Sequence, residues 1–186
     1  MTPQEYEIQQ GFWKQTYTGL TYTPRHPHPD QICIEDIAHS LSMICRFNGH
    51  TKEFYSVAEH CFWVAAMIDE NELCLEALLH DASEAYLCDI SRPIKPLLEG
   101  YKDYELITMQ AIWHHFGLGI YKARREIKAV DYRMLETERL QLMAEPPVKW
   151  DTSTVKPYTI QLYCWDPATA KEMFLQAFED YKPLVA

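Results

Sequence analysis

The densest chemical signal in the sequence is the run Leu79-His80-Asp81-Ala82-Ser83-Glu84-Ala85-Tyr86-Leu87-Cys88-Asp89. His80 and Asp81 are adjacent polar residues inside an apolar, helix-patterned segment. Glu84 follows His80 at i+4 and Asp81 at i+3, so on a helix all three share one edge. Burying three ionisable groups is costly unless they are paired or bound to a metal. Two further residues fit the same picture. His60 closes the segment Phe54-Tyr55-Ser56-Val57-Ala58-Glu59-His60, and Asp131 follows Ile127-Lys128-Ala129-Val130. Inward side chains on facing helices are how a helical bundle builds a metal site. Two imidazoles and two carboxylates form a mixed nitrogen–oxygen donor set, which suits Zn, Co, Mn or Fe better than Ca.

These residues must be positioned by helices. Ile37, Leu41 and Ile44 recur at helical spacing from Ile34 onward, and Asn48-Gly49 stops the run. A second helix is predicted from near Ser56, with Val57, Cys61, Val64 and Ile68 on one stripe. A third spans about Glu72 to Tyr86, burying Leu75, Leu78, Leu79, Ala82 and Ala85. The proline-punctuated stretch Asp89 to Pro96 is a loop. Further helices are predicted over about Leu97 to Phe116 and Lys122 to Met143. The last starts at Asp166-Pro167, an N-cap followed by proline at the first helical position.

Residues 1–33 read as a non-helical cap. Within it Gln15–Thr23, rich in Thr and Tyr around Gly19, predicts two short strands and a turn. A short strand is expected over Tyr158–Tyr163. The fold class is therefore mostly α, a single domain of about six helices with a small N-terminal β-hairpin. It divides into the cap, a helical core over 34–143 and a C-terminal extension over 144–186.

Composition sets outer bounds. The chain has 186 residues with 47% hydrophobic and 24% charged, ordinary values for a folded domain. Twenty-seven acidic residues against 17 basic give a net charge of -10, which disfavours a nucleic-acid polymer as partner. An anionic small molecule would need a local cluster of Arg and Lys. The opening MTPQEYEIQQ does not have the pattern of a signal peptide. No apolar run approaches the roughly 20 residues of a membrane span. The six cysteines include no CxxC pair, and reduced, mostly buried thiols in a cytoplasmic protein are expected. His26 and His28 lie in a proline-rich loop, His114-His115 fall near a helix end, and His50 follows Gly49 close to the presumed site.

The order His60, then His80-Asp81, then Asp131 resembles the H…HD…D signature of the HD-domain phosphohydrolases. The segments Asp36–Ser42, Cys45–His50, Phe54–His60 and His80–Tyr86 are similar to the small bacterial and phage members, namely the 5′-deoxynucleotidases and the dATP triphosphohydrolases. The resemblance covers roughly residues 15–140. It implies that His60, His80, Asp81 and Asp131 hold one divalent metal (Co, Mn or Zn, with Mg admitted). It implies that Glu84 and Asp89 are the acid and base carboxylates, in an order left open. Arg46 would contact a phosphate, Lys95 and Lys128 match positions that face phosphate, and Phe47 matches an aromatic packed near the sugar. The substrate would be a small-molecule deoxynucleotide, either a monophosphate or a triphosphate. The alternatives are a hydrolase of a signalling nucleotide and a catalytically inactive nucleotide-binding protein. The resemblance also implies a homo-oligomer with no membrane partner, in the cytoplasm of a bacterium or of a phage host.

Overall fold

The apolar stripes read from the sequence meet in one core. Ile37 and Leu41, Val57, Cys61 and Val64, and Leu75, Leu78 and Leu79 are all buried there, together with Ile112, Met134 and Phe174. The computed structural model describes residues 1–122 and 124–182. Ala123, within the expected fifth helix, and residues 183–186, the end of the expected C-terminal extension, lie outside the described residues.

The fold is mostly helical with one small antiparallel sheet. In chain order the elements are α1 (Pro3–Gln9), β1 (Lys14–Gln15), β2 (Thr21–Tyr22), α2 (Ile34–Met43), α3 (Val57–Ala66), α4 (Cys74–Leu78), α5 (Glu84–Leu87), α6 (Tyr101–His115), α7 (Arg125–Leu142) and α8 (Pro167–Tyr181). Helix α3 is central. It packs on α2, α4, α7 and α8, while α8 also lies across α2 and α4. No helix among the described residues is long and apolar enough to cross a membrane.

Several boundaries follow from local chemistry. Ser56 caps α3, its hydroxyl accepting from the Glu59 N–H at 3.0 Å. Asp166 caps α8 with Pro167 at the first helical position. The hairpin forms as expected, pairing Lys14 with Tyr22 and Gln15 with Thr21. It is anchored on the helices: Asp36 Oδ1 and Oδ2 accept from the Thr18 N–H at 2.6 Å and its hydroxyl at 2.9 Å, and Lys14 Nζ donates to the Tyr86 carbonyl at 2.7 Å.

Four expectations need correction. The N-terminal cap contains a helix, α1, because Thr2-Pro3-Gln4-Glu5 is a reciprocal capping box with proline at its start. The expected helix over 72–86 is two short helices, so eight α-helices stand among the described residues in place of six. Between them the backbone bonds tighten to i+3 spacing, as in Ala82 N–H to the Leu79 carbonyl and Glu84 N–H to the Asp81 carbonyl. There the His80 side chain takes up the Ala77 carbonyl, competing with the regular ladder.

Residues 158–163 form no strand. Their backbone bonds instead to α7 side chains: Thr137 accepts from the Tyr158 N–H, and Gln141 bonds both the Ile160 carbonyl and the Leu162 N–H. Finally, all six cysteines are unpaired, but only Cys61 and Cys74 are buried, and Cys88 is exposed on the loop after α5.

Candidate metal centre

Three segments bring the candidate ligands together. His60 comes from the middle of α3 and is fully buried. His80 and Asp81 come from the tight turns between α4 and α5, and Asp131 from the second turn of α7. His60 Nε2 lies 3.3 Å from His80 Nε2, 3.3 Å from Asp131 Oδ1 and 3.7 Å from Asp81 Oδ2. His80 Nε2 lies 3.2 Å from Asp81 Oδ2. Ligands held about 2.1 Å from a common ion stand about 3.0–3.4 Å from their neighbours in octahedral or tetrahedral arrangement. The observed separations have that scale. The ligand atoms of His60, His80 and Asp131 all fall within 4.8 Å of one another, as do those of Cys61, His80 and Asp81.

The hydrogen bonds of the two imidazoles decide whether this cluster suits a cation. His80 Nδ1 is 2.7 Å from the Ala77 carbonyl, which can only accept, so this nitrogen donates. His60 Nδ1 is 2.6 Å from Glu138 Oε1, again an acceptor. When both rings are neutral, these bonds leave the two Nε2 lone pairs facing each other and two carboxylates. Four electron-pair donors then converge with no hydrogen among them, so the donor set fits a divalent metal ion.

Glu138 was not foreseen from the sequence. It follows Asp131 at i+7 on α7, two turns along the same face. Fully buried, it accepts from His60 Nδ1, from the Tyr55 hydroxyl at 3.0 Å and pairs with Arg46 at 3.2 Å. It is a positioning residue for His60, the carboxylate–histidine arrangement that orients metal ligands. Burial works against its charge, but Arg46 and His60 outweigh it and hold its pKa below the usual carboxylate value. For His60, burial and Arg46 favour loss of the ring proton, while Glu138 and Asp131 favour keeping it and raise its pKa overall.

A cavity of about 900 Å³ opens above the cluster. Its wall includes Arg46, Phe47, Asp81, Glu84, Asp89, Lys95 and Asp131, so most of the sequence-selected residues face one space. Glu84 is buried, with Oε1 3.4 Å from Lys95 Nζ and Oε2 without a partner. Burial, then the Asp81 and Asp89 charges, push its pKa well above the usual carboxylate value against the pull of Lys95. Burial also raises Asp89, with Arg46 opposing. Lys95 also pairs with Glu105 at 2.8 Å. Arg46 pairs with Glu138 and stands 3.6 Å from Asp81, its Nε unpartnered. Burial would weaken its charge, but Glu138, Asp81, Asp89 and Asp131 together raise its pKa.

Lys128 is different. It is exposed on α7 and is absent from the cavity wall. It shares the α7 face of Asp131 and Leu135, which line the cavity, but lies one turn before Asp131, beyond the cavity wall.

The Arg46 segment is shaped by strain. A bridge between Cys45 and Ser56 fixes its start, with Arg46 N–H on the Tyr55 carbonyl at 2.9 Å. Phe47 and Asn48 then both adopt the left-handed region, at φ 54° and 53°. That conformation costs an L-residue about 1–2 kcal/mol. The three-residue turn, closed by Gly49, leaves Arg46, Phe47 and Asn48 all on the cavity wall. Asn tolerates this backbone, and Phe does not, so the Phe47 position is one the surrounding fold enforces.

No protein-family model matches the chain. The Escherichia coli K12 protein named "Uncharacterized protein YfdR" is 37% identical over 171 residues, which is 91% of this chain and 95% of that protein. An uncharacterized protein of Rhodobacter capsulatus is 33% identical over 157 residues, covering 78% of this chain and 80% of the relative.

Proposed function

The chain belongs to the family of the Escherichia coli protein YfdR, and we propose that it is a metal-dependent phosphohydrolase that cleaves the 5′-phosphate ester of deoxynucleotides. The observation that carries this reading is the convergence of two imidazole Nε2 atoms and two carboxylates, with neighbours 3.2–3.7 Å apart, beside a cavity whose wall carries both carboxylates together with Glu84 and Arg46. The likeness of the His60, His80-Asp81 and Asp131 order to the HD-domain phosphohydrolases points the same way.

His60, His80, Asp81 and Asp131 would hold one divalent transition ion such as Co, Mn or Zn. When bound, the ion supplies Lewis-acid polarisation of the phosphoryl oxygen and lowers the pKa of adjacent water. The protein supplies the rest. Arg46, held by Glu138, sets its guanidinium charge on the cavity wall against a phosphoryl oxygen. Glu84 and Asp89 divide the proton transfers: one takes a proton from the attacking water, and the other gives one to the leaving 5′ oxygen. Lys95 lies against Glu84 and steadies its charge. Phe47 sets the wall against which the sugar rests. Burial at the base of the cavity strengthens each of these electrostatic contacts.

The test is a product assay. The protein is stripped of metal and reloaded separately with Co, Mn, Zn or Mg, then offered all dNMPs, all dNTPs and their ribose counterparts. Metal-dependent release of nucleoside from a deoxynucleotide, with phosphate or triphosphate as co-product, is the expected result. No turnover of any nucleotide with any metal would overturn the reading.

A further inference from the structure

The cavity wall carries three cationic side chains, Arg46, Arg92 and Lys95, and two of them are committed. Arg46 is tied to Glu138 and Asp81, and Lys95 to Glu84 and Glu105. Arg92 has no carboxylate partner among the described residues. Its guanidinium instead rests on the Tyr132 ring, 4.6 Å from the centroid, and the Tyr132 hydroxyl donates to Asp151 at 3.0 Å. A cation stacked on an aromatic face keeps its N–H edge free to bind an anion, and a planar guanidinium suits phosphate oxygens.

The backbone around it is also available. The N–H groups of Ile90, Ser91 and Arg92 donate to no backbone carbonyl among the described residues. Ile90 and Ser91 line the cavity beside Arg92. Arg92 sits midway between Asp89 and Lys95, so the loop that brings a carboxylate to the reacting phosphoryl also carries this free cation. At about 900 Å³ the cavity lies at the upper end of the range for small-molecule sites. The reacting phosphoryl would take Arg46 and the ligand cluster, and additional phosphates would need a cation of their own in an otherwise acid-rich wall.

We propose that the Ile90–Arg92 stretch, with the Arg92 guanidinium as its anchor, binds the non-reacting phosphates of the substrate, so that nucleoside triphosphates are the preferred substrate class and triphosphate is the released product. This rests on the reading of the site as a nucleotide phosphohydrolase. Water attacks the phosphorus bonded to the 5′ oxygen, that phosphorus–oxygen bond breaks, and the 5′ oxygen leaves protonated with the nucleoside.

The test separates this inference from the reading beneath it. Binding of inorganic tripolyphosphate and of orthophosphate is measured by calorimetry on the metal-loaded protein and on Arg92→Gln and Arg92→Lys. The expected result is a loss of about tenfold to a hundredfold in tripolyphosphate affinity for Arg92→Gln, partial recovery in Arg92→Lys, and a smaller loss for orthophosphate. In turnover, the ratio of kcat/KM for a dNTP over its dNMP should favour the dNTP and fall at least tenfold in Arg92→Gln. Equal tripolyphosphate affinity in wild type and Arg92→Gln overturns the inference even if nucleotides turn over. A wild-type preference for monophosphates overturns it as well. Absence of all nucleotide turnover overturns the phosphohydrolase reading instead, while the calorimetry still decides whether Arg92 anchors a phosphate chain.

Discussion

Glu59 and His60 are neighbours on α3, both fully buried, and they face two different polar interiors. Glu59 looks toward the C-terminal segment. Its carboxylate accepts from the backbone N–H groups of Tyr163, Cys164 and Trp165 at 2.7–3.1 Å, and from the Trp63 indole at 3.4 Å. Every atom is satisfied, and what the interaction does is hold the chain after α7 against α3. His60 looks toward α7 and the α4–α5 turns, where lone pairs meet lone pairs. Of the five buried polar side-chain atoms without a hydrogen bond among the described residues, Arg46 Nε, Glu84 Oε2 and Glu138 Oε2 lie around this second interior, the last held only by its ion pair with Arg46. Buried polar groups are normally satisfied, so such a concentration needs a reason. One interior is complete as protein alone. The other gathers a donor set that could hold a metal ion, beside a cavity whose wall carries Arg46 and Glu84.

Substitutions on the His60 side should change metal content and turnover, and the largest effect is expected at the ligands. Asp81→Ala should lose bound metal and about a thousandfold or more of activity together, since Lewis-acid stabilisation is worth several kcal/mol. Metal analysis alongside kinetics checks both. Full turnover by metal-stripped Asp81→Ala would break the contrast at its root. Next, Glu84→Gln should keep its metal and lose about 10²–10⁴-fold in kcat, the usual worth of acid–base catalysis. Metal loss in that variant would place Glu84 among the ligands. A smaller change is expected for Glu138→Gln. It keeps the shape but weakens the bond that orients His60, so metal affinity should fall about 10–100-fold. Competition with a chelator reads this directly, without any substrate.

The sequence made much of this legible, for physical reasons that differ by residue. Ser56 and Asp166-Pro167 announce helix starts because capping is local chemistry. His60, His80, Asp81 and Asp131 stand out because ionisable groups in apolar helical segments demand a partner. Glu138 does not stand out in that way. It lies among Glu136, Arg139 and other charged residues of α7, and only its i+7 relation to Asp131 marks it. Its significance comes from Tyr55, His60 and Arg46, which are distant in sequence. The break between α4 and α5 is likewise hidden, since an apolar helical pattern runs through it while the His80 side chain competes for the Ala77 carbonyl. The left-handed turn at Phe47 and Asn48 has Asn48-Gly49 as its local signal, and nothing local marks Phe47. Lys128 shows the opposite case: it is a residue of the right type on the same face of α7 as Asp131, but it lies one turn nearer the start of the helix, exposed and off the cavity wall.

The smallest expected effect tests the satisfied interior itself. In Glu59 the Oε1 atom accepts from Tyr163, Cys164 and Trp63, while Oε2 accepts from Trp165 at 2.7 Å. A Gln side chain can keep one oxygen in the first position, but its NH₂ cannot accept, so the Trp165 N–H loses its partner. Losing a buried charged acceptor costs about 1–3 kcal/mol. Glu59→Gln should therefore lower the chemical-denaturation midpoint with little change in slope, because the same surface is exposed on unfolding. Its metal stoichiometry should match wild type, because the change leaves the bonds of His60 to Glu138 and of His80 to Ala77 in place. A Glu59→Gln protein of wild-type stability would mean that the Trp165 N–H finds another acceptor, and the C-terminal segment is then held mainly by Thr137, Gln141 and the packing of Trp165 on Phe62. A Glu59→Gln protein that folds but loses metal would mean that the two interiors are coupled through α3. The orientation of His60 would then depend on both ends of the helix turn that carries it, as well as on Glu138.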